Sequence, residues 1–269
     1  MTPSIHFRKN RRTGSLRPTT PAAASPVGEM RIARFLAAAG VASRRECEKI
    51  ILAHRVEING TPIDSPARNL NPQADEVRLD GRIVRLPEPV YLLLYKPPGV
   101  TCSARDRHAD RLVGELLPDR FGRLFTVGRL DRDSEGLIVC TNDGEFAQKV
   151  AHPRHELEKT YRVFVLGKVP GPTLRRLREG VVEGGQELRP ESVRRVGVVS
   201  GARTVTELEF ILKEGKKREI RRLCQSADLP VVRLIRVGLG SLRDPQLAPG
   251  QWRLLNKAEI AGLSKRASQ

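Results

Sequence analysis

A four-residue segment, Leu86-Pro87-Glu88-Pro89, divides this 269-residue chain into two parts with different hydrophobic patterns. Before the segment, apolar residues recur at the spacing of amphipathic helices, whereas after it short apolar runs are separated by turn residues. Two prolines in four residues interrupt helices and central strands alike, so the segment is typical of a linker. The pattern therefore predicts a small domain over residues 30–86 and a larger one over residues 87–255.

The first domain is predicted to contain two helices followed by hairpins. Apolar residues at helical spacing begin at Ile32 and stop at Gly40, and a second helix is expected to open at Ser43. The dipeptides Asn59-Gly60 and Asp80-Gly81 favour two-residue turns, and each lies between short segments that suit β-strands. The predicted unit is a small helix, helix and hairpin fold.

The second domain is predicted to be a mixed, mainly antiparallel sheet with accompanying helices. The expected strands are residues 90–95, 124–130, 137–141, 159–166, 193–198, 204–212, 231–237 and 251–255. The expected helices are residues 145–151, 173–179, 217–227 and 256–262, the last of which opens a C-terminal helix and tail over 256–269. Strands and helices in mixed order indicate the α+β class.

The charge of the chain favours a polyanionic partner. The sequence has 48 Lys and Arg against 31 Asp and Glu, a formal net charge of +17. Because the positive residues fall in clusters, a phosphate-rich partner explains them better than a generally solvated surface. Residues 1–29 are basic and proline-rich with no acidic residue before Glu29, which predicts a disordered basic arm. Whether that arm binds RNA or acts as a spacer stays open.

Other features of the sequence exclude several classes of protein. No stretch approaches the roughly 18 consecutive apolar residues of a membrane-spanning helix, so we expect a soluble, cytoplasmic monomer. His152 and His155 have no Cys or carboxylate at ligand spacing, so no metal site is expected. The cysteines are not spaced like a zinc site or a redox dithiol, which favours reduced thiols. They are Cys47, Cys102, Cys140 and Cys224.

Two segments carry most of the candidate chemistry. The first, from Gly128 to Leu137, presents carboxylates on a loop bounded by glycines, and the second, from Glu214 to Leu223, is a dense cationic helix. If a strand ends at Leu130, then Asp131 projects from a rigid element, which suits a nucleophile or a base. Ordinary loops between strands also contain Asp and Gly. The spacing alone therefore leaves catalysis and simple loop structure equally open.

Four segments in order resemble the motifs of the pseudouridine synthases that modify ribosomal RNA. They are Tyr95–Val100, Gly128–Leu137, Lys159–Val163 and Glu214–Leu223. The unit at 30–86 resembles the S4-like RNA-binding domain that precedes the catalytic domain in one branch of this family. The resemblance implies an isomerase that detaches uracil from ribose at its ring nitrogen, turns it and rejoins it through carbon 5. Such a reaction needs no cofactor and no metal.

The resemblance also implies the catalytic residues. Asp131 is the implied catalytic carboxylate, acting either on the anomeric carbon or on a proton of the neighbouring ribose carbon. Arg221 matches the active-site arginine of the family, and we predict an Asp131–Arg221 ion pair because a partly desolvated carboxylate needs a cation to stay charged. Tyr161 is expected to stack on the extruded uracil. Taken without its motif, Tyr161 would better suit an ordinary core position.

Grouped cations are expected to bind RNA phosphates, because such binding releases counterions. On the helix at 217–227, apolar residues form one stripe from Ile220 to Ala227, and arginines form an adjacent polar stripe. Ile220 is also a candidate for closing the pocket beside the uracil. The residues assigned to RNA are Arg129, Lys159, Lys216, Lys217, Arg218 and Arg222 in the second domain and Arg31, Arg34, Arg44, Arg45 and Lys49 in the first.

Particular residues bear on the subtype of the family and on two alternative functions. The segment Lys217–Arg222 favours the large-subunit type of the family, although Glu219 stands where many relatives have glutamine. A non-catalytic RNA-binding or ribosome-assembly protein would need the basic clusters but not Asp131. A glycosidase would pair Asp131 with Asp133 or Glu135. Aromatic residues, which bind sugars in such enzymes, make up 4% of the chain and disfavour it.

Overall fold

The computed structural model describes residues 28–103, 106–152, 154, 156–199 and 203–266. These residues form two compact units. The first comprises the chain up to Phe35 together with Arg44–Val84, and the second comprises Leu36–Ser43 together with the chain from Arg85 onward. Most of the predicted basic arm (1–27), His155 and the final residues of the predicted tail (267–269) lie outside the described residues.

The N-terminal region, residues 30–84, has the predicted order of helices and hairpins. Its elements are β1 (Met30–Arg31), α1 (Ile32–Ala38), α2 (Arg44–Leu52), β2 (Val56–Ile58), β3 (Thr61–Ile63), β4 (Asn69–Leu70), β5 (Val77–Leu79) and β6 (Arg82–Val84). Strands β3, β2, β5 and β6 form an antiparallel sheet, and β1 pairs with β4. Asn59 and Asp80 have φ angles of 52° and 48°, as the two-residue turns require.

The large unit contains the remaining strands and helices. Its strands are β7 (Tyr91–Lys96), β8 (Phe125–Thr126), β9 (Glu135–Thr141), β10 (Lys159–Leu166), β11 (Val181–Glu183), β12 (Gln186–Leu188), β13 (Ser192–Val199), β14 (Val205–Leu212), β15 (Val231–Leu239) and β16 (Trp252–Leu254). Its helices are α3 (Gly144–Ala151), α4 (Gly171–Glu179), α5 (Glu219–Ser226) and α6 (Lys257–Arg266), with 3₁₀ turns at Val113–Leu116 and Asp119–Phe121. No helix within the described ranges is long and apolar enough to cross a bilayer.

One large sheet organises this unit and confirms the predicted α+β class. The strand order is β13-β14-β10-β15-β9-β7-β16, with β8 paired to β9, while β11 and β12 form a separate hairpin. Every pairing in the sheet is antiparallel except that of β9 with β15. The sequence did not predict the β11–β12 hairpin or this parallel pair.

The sheet is covered on both faces, which explains the continuous apolar run in β7. Leu92, Leu93 and Leu94 are all fully buried. Leu92 and Leu94 belong to one hydrophobic cluster and Leu93 to another, because successive side chains of a strand point to opposite faces. All seven residues of β9 are likewise buried. These two buried strands are therefore rigid supports for the loops at their ends.

Helix α5 is shorter than predicted but presents the predicted apolar stripe. Ile220, Leu223, Cys224 and Ala227 are each no more than 7% exposed. These residues pack into the larger hydrophobic cluster of the sheet. The arginines on the adjacent stripe of α5 are thereby held at the surface of the unit in a fixed orientation.

The predicted strand at 124–130 is wrong over most of its length. Strand β8 covers only Phe125–Thr126, and the chain then turns because Gly128 adopts a φ of 73°. Val127 and Leu130 are buried all the same. Both residues are apolar because their loop packs on the core, and the resulting sequence pattern resembles that of a strand. Asp131 thus lies within a loop and does not follow directly on a strand.

Candidate active site

The loop of residues 127–134 joins β8 to β9 and is anchored by its main chain. We call it the Asp131 loop. The Ser134 amide donates a hydrogen bond to the Asp131 carbonyl over 3.1 Å, which closes a turn within the loop. The Gly99 amide donates to the Arg132 carbonyl over 2.7 Å and joins the loop to the turn after β7. The backbone around Asp131 is thus fixed at two points.

Lys96 supports the same loop from below. Its side chain is fully buried, and its ammonium donates to the carbonyl oxygens of Pro97, Val100 and Arg132 at 2.9, 2.7 and 3.3 Å. These three bonds use every N–H donor that a lysine has. Burial lowers the pKa of Lys96, while nearby acidic side chains, Asp131 among them, act in the opposite direction. A buried cation therefore lies beneath the candidate carboxylate.

The far end of the loop is fixed where β9 runs parallel to β15. Gly136 pairs with Arg236 there and has a φ of 111°. A Cβ atom at position 136 would overlap the Arg236 main chain, so only glycine allows this approach. The glycine that bounds the candidate motif thus serves strand pairing directly and the position of Asp131 indirectly.

A cavity of about 500 Å³ opens beside the Asp131 loop. Asp131 is half-buried on one wall, Tyr161 of β10 is on the wall at 7% exposure, and α5 closes the opposite side. Eight of the residues predicted to be functional line this one cavity. They are Arg129, Asp131, Tyr161, Lys216, Lys217, Arg218, Ile220 and Arg221. Residues from three of the four motifs therefore converge on a single concave site.

The predicted Asp131–Arg221 ion pair is not formed. Arg221 instead binds Asp133, both at the carboxylate and at the main-chain oxygen, with Nη2 distances of 3.1 Å. Arg218 binds the same carboxylate at 3.2 Å. Two residues after Asp131, the loop turns Asp133 toward α5. The carboxylate of Asp131 forms no ion pair or hydrogen bond within the described residues and is left facing the cavity.

Two buried polar atoms on the cavity wall have no hydrogen-bond partner in the described part of the chain. They are Ser134 Oγ and Arg221 Nε. Burying such groups without a partner costs about 1–3 kcal/mol each, so polar groups of this kind usually face a ligand or water. Together with the Asp131 carboxylate, they give the cavity both acceptors and donors for a polar ligand.

The structure does not bring every predicted residue to this cavity. Lys159 lines a neighbouring cavity. Arg222 points to the β11–β12 hairpin, where it binds Glu183 and Gln186. The five residues assigned to RNA in the first domain belong to elements of the N-terminal S4-like region, and Arg31 lies on β1 and not on the predicted helix. Arg34 is on α1, and Arg44, Arg45 and Lys49 are on α2.

The geometry does not support a paired-carboxylate glycosidase. Glu135 is 5% exposed and is bound by the Tyr95 hydroxyl and by Arg233. Asp133 is bound by Arg218, directly before α5, and by Arg221 of α5. Neither carboxylate lines the cavity beside Asp131. Among the described residues, no three His, Cys, Asp or Glu side chains are grouped to hold a metal ion.

Comparison with known proteins identifies the family. The family model described as RNA pseudouridylate synthase matches residues 90–226, and the S4 domain model matches residues 30–77. An RNA pseudouridine synthase of Aquifex aeolicus is 40% identical, over 88% of this chain and 94% of the relative. The ribosomal large subunit pseudouridine synthase B of Bacillus subtilis is 33% identical, over 87% of this chain and 95% of the relative.

A solved structure supports the same assignment. The crystal structure of a pseudouridylate synthase matches with a TM-score of 0.59 and 26% identity, covering 87% of this chain and 99% of that one. The fold and the site define an RNA-modifying isomerase. This chain belongs to the RNA pseudouridine synthases and carries an S4 domain before its catalytic domain. The resemblance to pseudouridine synthases with an S4-like domain is confirmed.

Three supporting residues of the site escaped the sequence analysis. The motif containing Lys96 assigns it no role, although a lysine that ends the apolar strand β7 signals a buried cation. Asp133 was considered only for glycosidase chemistry, whereas it holds two arginines. Arg236, which pairs with Gly136, gave no local signal because its partner lies a hundred residues earlier.

Proposed function

We propose that this enzyme converts a uridine of ribosomal RNA to pseudouridine, with Asp131 as the catalytic carboxylate. The observation that carries the proposal is an unpaired Asp131 carboxylate in the same cavity as Tyr161 and the cations of α5. Ribosomal RNA of the large subunit is the proposed substrate because the relative from Bacillus subtilis has that name. We further propose a cytoplasmic enzyme that acts as a monomer.

Each wall of the cavity has a part in this reaction. A uridine extruded from an RNA helix loses its stacking, and the ring of Tyr161 replaces it, with Ile220 closing the pocket beside the base. Lys216, Lys217, Arg218 and Arg129 bind the phosphates on either side. Asp131 then either attacks the anomeric carbon or removes a proton from the neighbouring ribose carbon. Both routes require the carboxylate in its charged form.

The arginines of α5 keep that carboxylate available. Because Asp133 binds both Arg218 and Arg221, the loop is tied to α5 without using Asp131 itself. The ammonium of Lys96 supplies positive charge from the protein side without forming an ion pair with Asp131. Arg221 therefore acts on the reaction by positioning the loop, and its Nε remains available to the substrate.

Replacing Asp131 by Asn tests the proposal. Pseudouridines are mapped in ribosomal RNA from cells that lack the enzyme and then receive either the wild-type or the Asp131→Asn protein. The wild-type protein should restore one modification, whereas the variant should restore none while binding RNA with unchanged affinity. Asp228→Asn is the matched control, because Asp228 is exposed and asparagine tolerates its φ of 57°.

The outcomes separate the candidate functions. Full activity of Asp131→Asn would refute the assigned role of Asp131. A wild-type protein that binds ribosomal RNA but forms no pseudouridine would favour the RNA-binding alternative. The two catalytic routes are separated with RNA that carries deuterium on the ribose carbon next to the anomeric carbon. A primary isotope effect on a single turnover supports proton removal, and its absence supports direct attack.

A further inference from the structure

A second cavity of about 240 Å³ adjoins the catalytic one. The two cavities are neighbours, because they share Arg129, Tyr161, Gly215 and Lys216 as lining residues. The second cavity is lined on its inner side by Lys159 and Arg236. The reaction as described above uses neither of these two inner residues.

Arg236 is the most unusual group of this cavity. It is 3% exposed, and its Nε donates to the Leu137 carbonyl over 2.7 Å. Its Nη2 is buried and has no hydrogen-bond partner in the part of the chain described. No carboxylate forms a salt bridge with it in those residues. A buried guanidinium with no carboxylate partner destabilises the folded protein unless an anion binds beside it.

Lys159 faces the same space. Its ammonium donates to the carbonyls of Leu157 and Lys213, each at 2.9 Å, which leaves one of its three N–H donors unused in the described residues. Burial, and then the charge of Arg236, lower the pKa of Lys159 to about 8. Two like charges that are close enough to disfavour each other therefore line one small cavity.

The nearest carboxylates do not neutralise this pair. Glu214, which also lines the cavity, binds Lys216 at 2.9 Å. Glu219 accepts a hydrogen bond from the Lys216 amide at 3.0 Å. Both carboxylates act to raise the pKa of Lys159, but burial has the larger effect and lowers it. A small, strongly charged acceptor in the cavity would satisfy the free donors of Arg236 and Lys159 together.

We propose that the cavity between Lys159 and Arg236 binds a phosphate group. The group is either a phosphodiester of the RNA next to the extruded uridine or a free phosphate ion, since both present the same oxygens. The RNA source rests on the proposed function, because it requires RNA in the neighbouring cavity. The free-ion source does not, so the two can be tested separately.

Inorganic phosphate tests the site itself. The thermal unfolding midpoint is measured in phosphate and in chloride at equal ionic strength. We expect phosphate to raise the midpoint of the wild-type protein by about 2–4 °C and to leave Arg236→Gln unchanged. Arg236→Lys should recover part of the shift. Arg194→Gln is the matched control, since Arg194 is exposed on β13 and pairs with Glu209; it should keep the full shift.

A second variant protects the test against misfolding. Arg236 also holds the Leu137 carbonyl, so Arg236→Gln is used only if its far-ultraviolet circular dichroism matches the wild type. Lys159→Gln serves otherwise, and it should lose most of the phosphate shift. Equal shifts in the wild type and in a folded variant of either residue would overturn the proposal.

Binding to a fragment of ribosomal RNA identifies the source of the phosphate. If the cavity takes a phosphodiester, the slope of log affinity against log salt should fall by about 0.7–0.9 in Arg236→Gln and stay unchanged in Arg194→Gln. An unchanged slope combined with a lost phosphate shift assigns the site to a free ion. Because binding needs no turnover, a failure of the proposed reaction leaves both measurements interpretable.

Discussion

Two arginine-rich regions of this molecule use the same side chains in opposite ways. On α2 of the S4 domain, Arg44 and Lys49 are exposed and pair with glutamates of the same helix at 3.9 and 3.1 Å. Around the catalytic cavity, Arg221 is only 15% exposed and binds a carboxylate 88 residues earlier in the chain. The first set covers a surface, whereas the second holds two distant segments together.

The difference lies in the cost of exchanging partners. An exposed ion pair contributes about 0–1 kcal/mol, so an RNA phosphate can replace the glutamate at almost no cost. A largely buried guanidinium that loses its partner leaves polar groups unsatisfied, which costs more. We therefore expect the S4 cations to contribute affinity and the cavity cations to contribute geometry. The following substitutions test this division, from the largest expected effect to the smallest.

The strongest test replaces Arg221 by Gln. The change removes both bonds that Arg221 makes to Asp133 and leaves the Asp131 loop tied there through Arg218 alone, so the position of the Asp131 carboxylate is less firmly fixed. We expect kcat to fall roughly a hundredfold, equivalent to about 2.7 kcal/mol, with little change in RNA affinity. Single-turnover rates of pseudouridine formation measure it. A fall in affinity alone would mean that Arg221 acts only as another surface cation.

Tyr161 gives the next largest effect. Replacing it by Leu removes a stacking surface worth about 1–3 kcal/mol, so we expect kcat/KM to fall roughly ten- to a hundredfold. Tyr161→Phe is the control, because the ring remains and no hydrogen bond to the hydroxyl exists in the described residues. If the Leu variant keeps full activity while the protein melts earlier, Tyr161 is an ordinary core residue.

Lys159 predicts a pH dependence of smaller size. Because its pKa is lowered from 10.5 to about 8, the folded protein loses this proton before the unfolded chain does. The burial cost is therefore present below about pH 8, and the free energy of unfolding should rise with pH between 8 and 10.5. The charges facing it are those of Arg236 on β15, Glu214 and Glu219. Chemical denaturation across this range measures the rise.

Two variants isolate the contribution of Lys159. The rise between pH 8 and 10.5 should be smaller in Lys159→Gln, which has no proton to lose. The rise should persist in Lys49→Gln, which removes the same charge from the exposed surface of α2. Identical pH profiles for the wild type and Lys159→Gln would contradict the assigned shift.

The smallest effect is expected on the S4 domain. Arg45→Gln removes an exposed charge and should weaken RNA binding only a few-fold, with a salt slope reduced by about 0.7–0.9 and an unchanged kcat. Filter binding at several salt concentrations measures it. A loss of kcat comparable to that of Arg221→Gln would show that the division between affinity and geometry is wrong.

The sequence predicted those features that short stretches of chain determine. The turns at Asn59-Gly60 and Asp80-Gly81 follow from residues that tolerate positive φ angles, and the buried stripe of α5 follows from helical spacing alone. The convergence of three of the four motifs on one cavity followed from the family resemblance. Nothing in their local patterns places Tyr161 beside Asp131.

The errors came from contacts between distant segments. Asp131 and Asp133 are both acidic residues of one loop, and only the turn of the backbone decides which of them meets Arg221. The strand predicted at 124–130 failed because Val127 and Leu130 are buried by loop packing. The parallel pairing of β9 with β15 brings Gly136 to Arg236 across a hundred residues, and no local pattern contains that information.

The close approach of Gly136 to Arg236 has a consequence for how this enzyme can vary. The Asp131 loop and the inner wall of the second cavity meet through peptide groups, which are the same whatever residues surround them. Substitutions elsewhere in the sheet can alter the lining of either cavity while their spacing stays constant. A single methyl group at position 136 would instead push the Asp131 loop and the cavity wall apart. We therefore expect mutation to be tolerated least at Gly136, the smallest residue in the site.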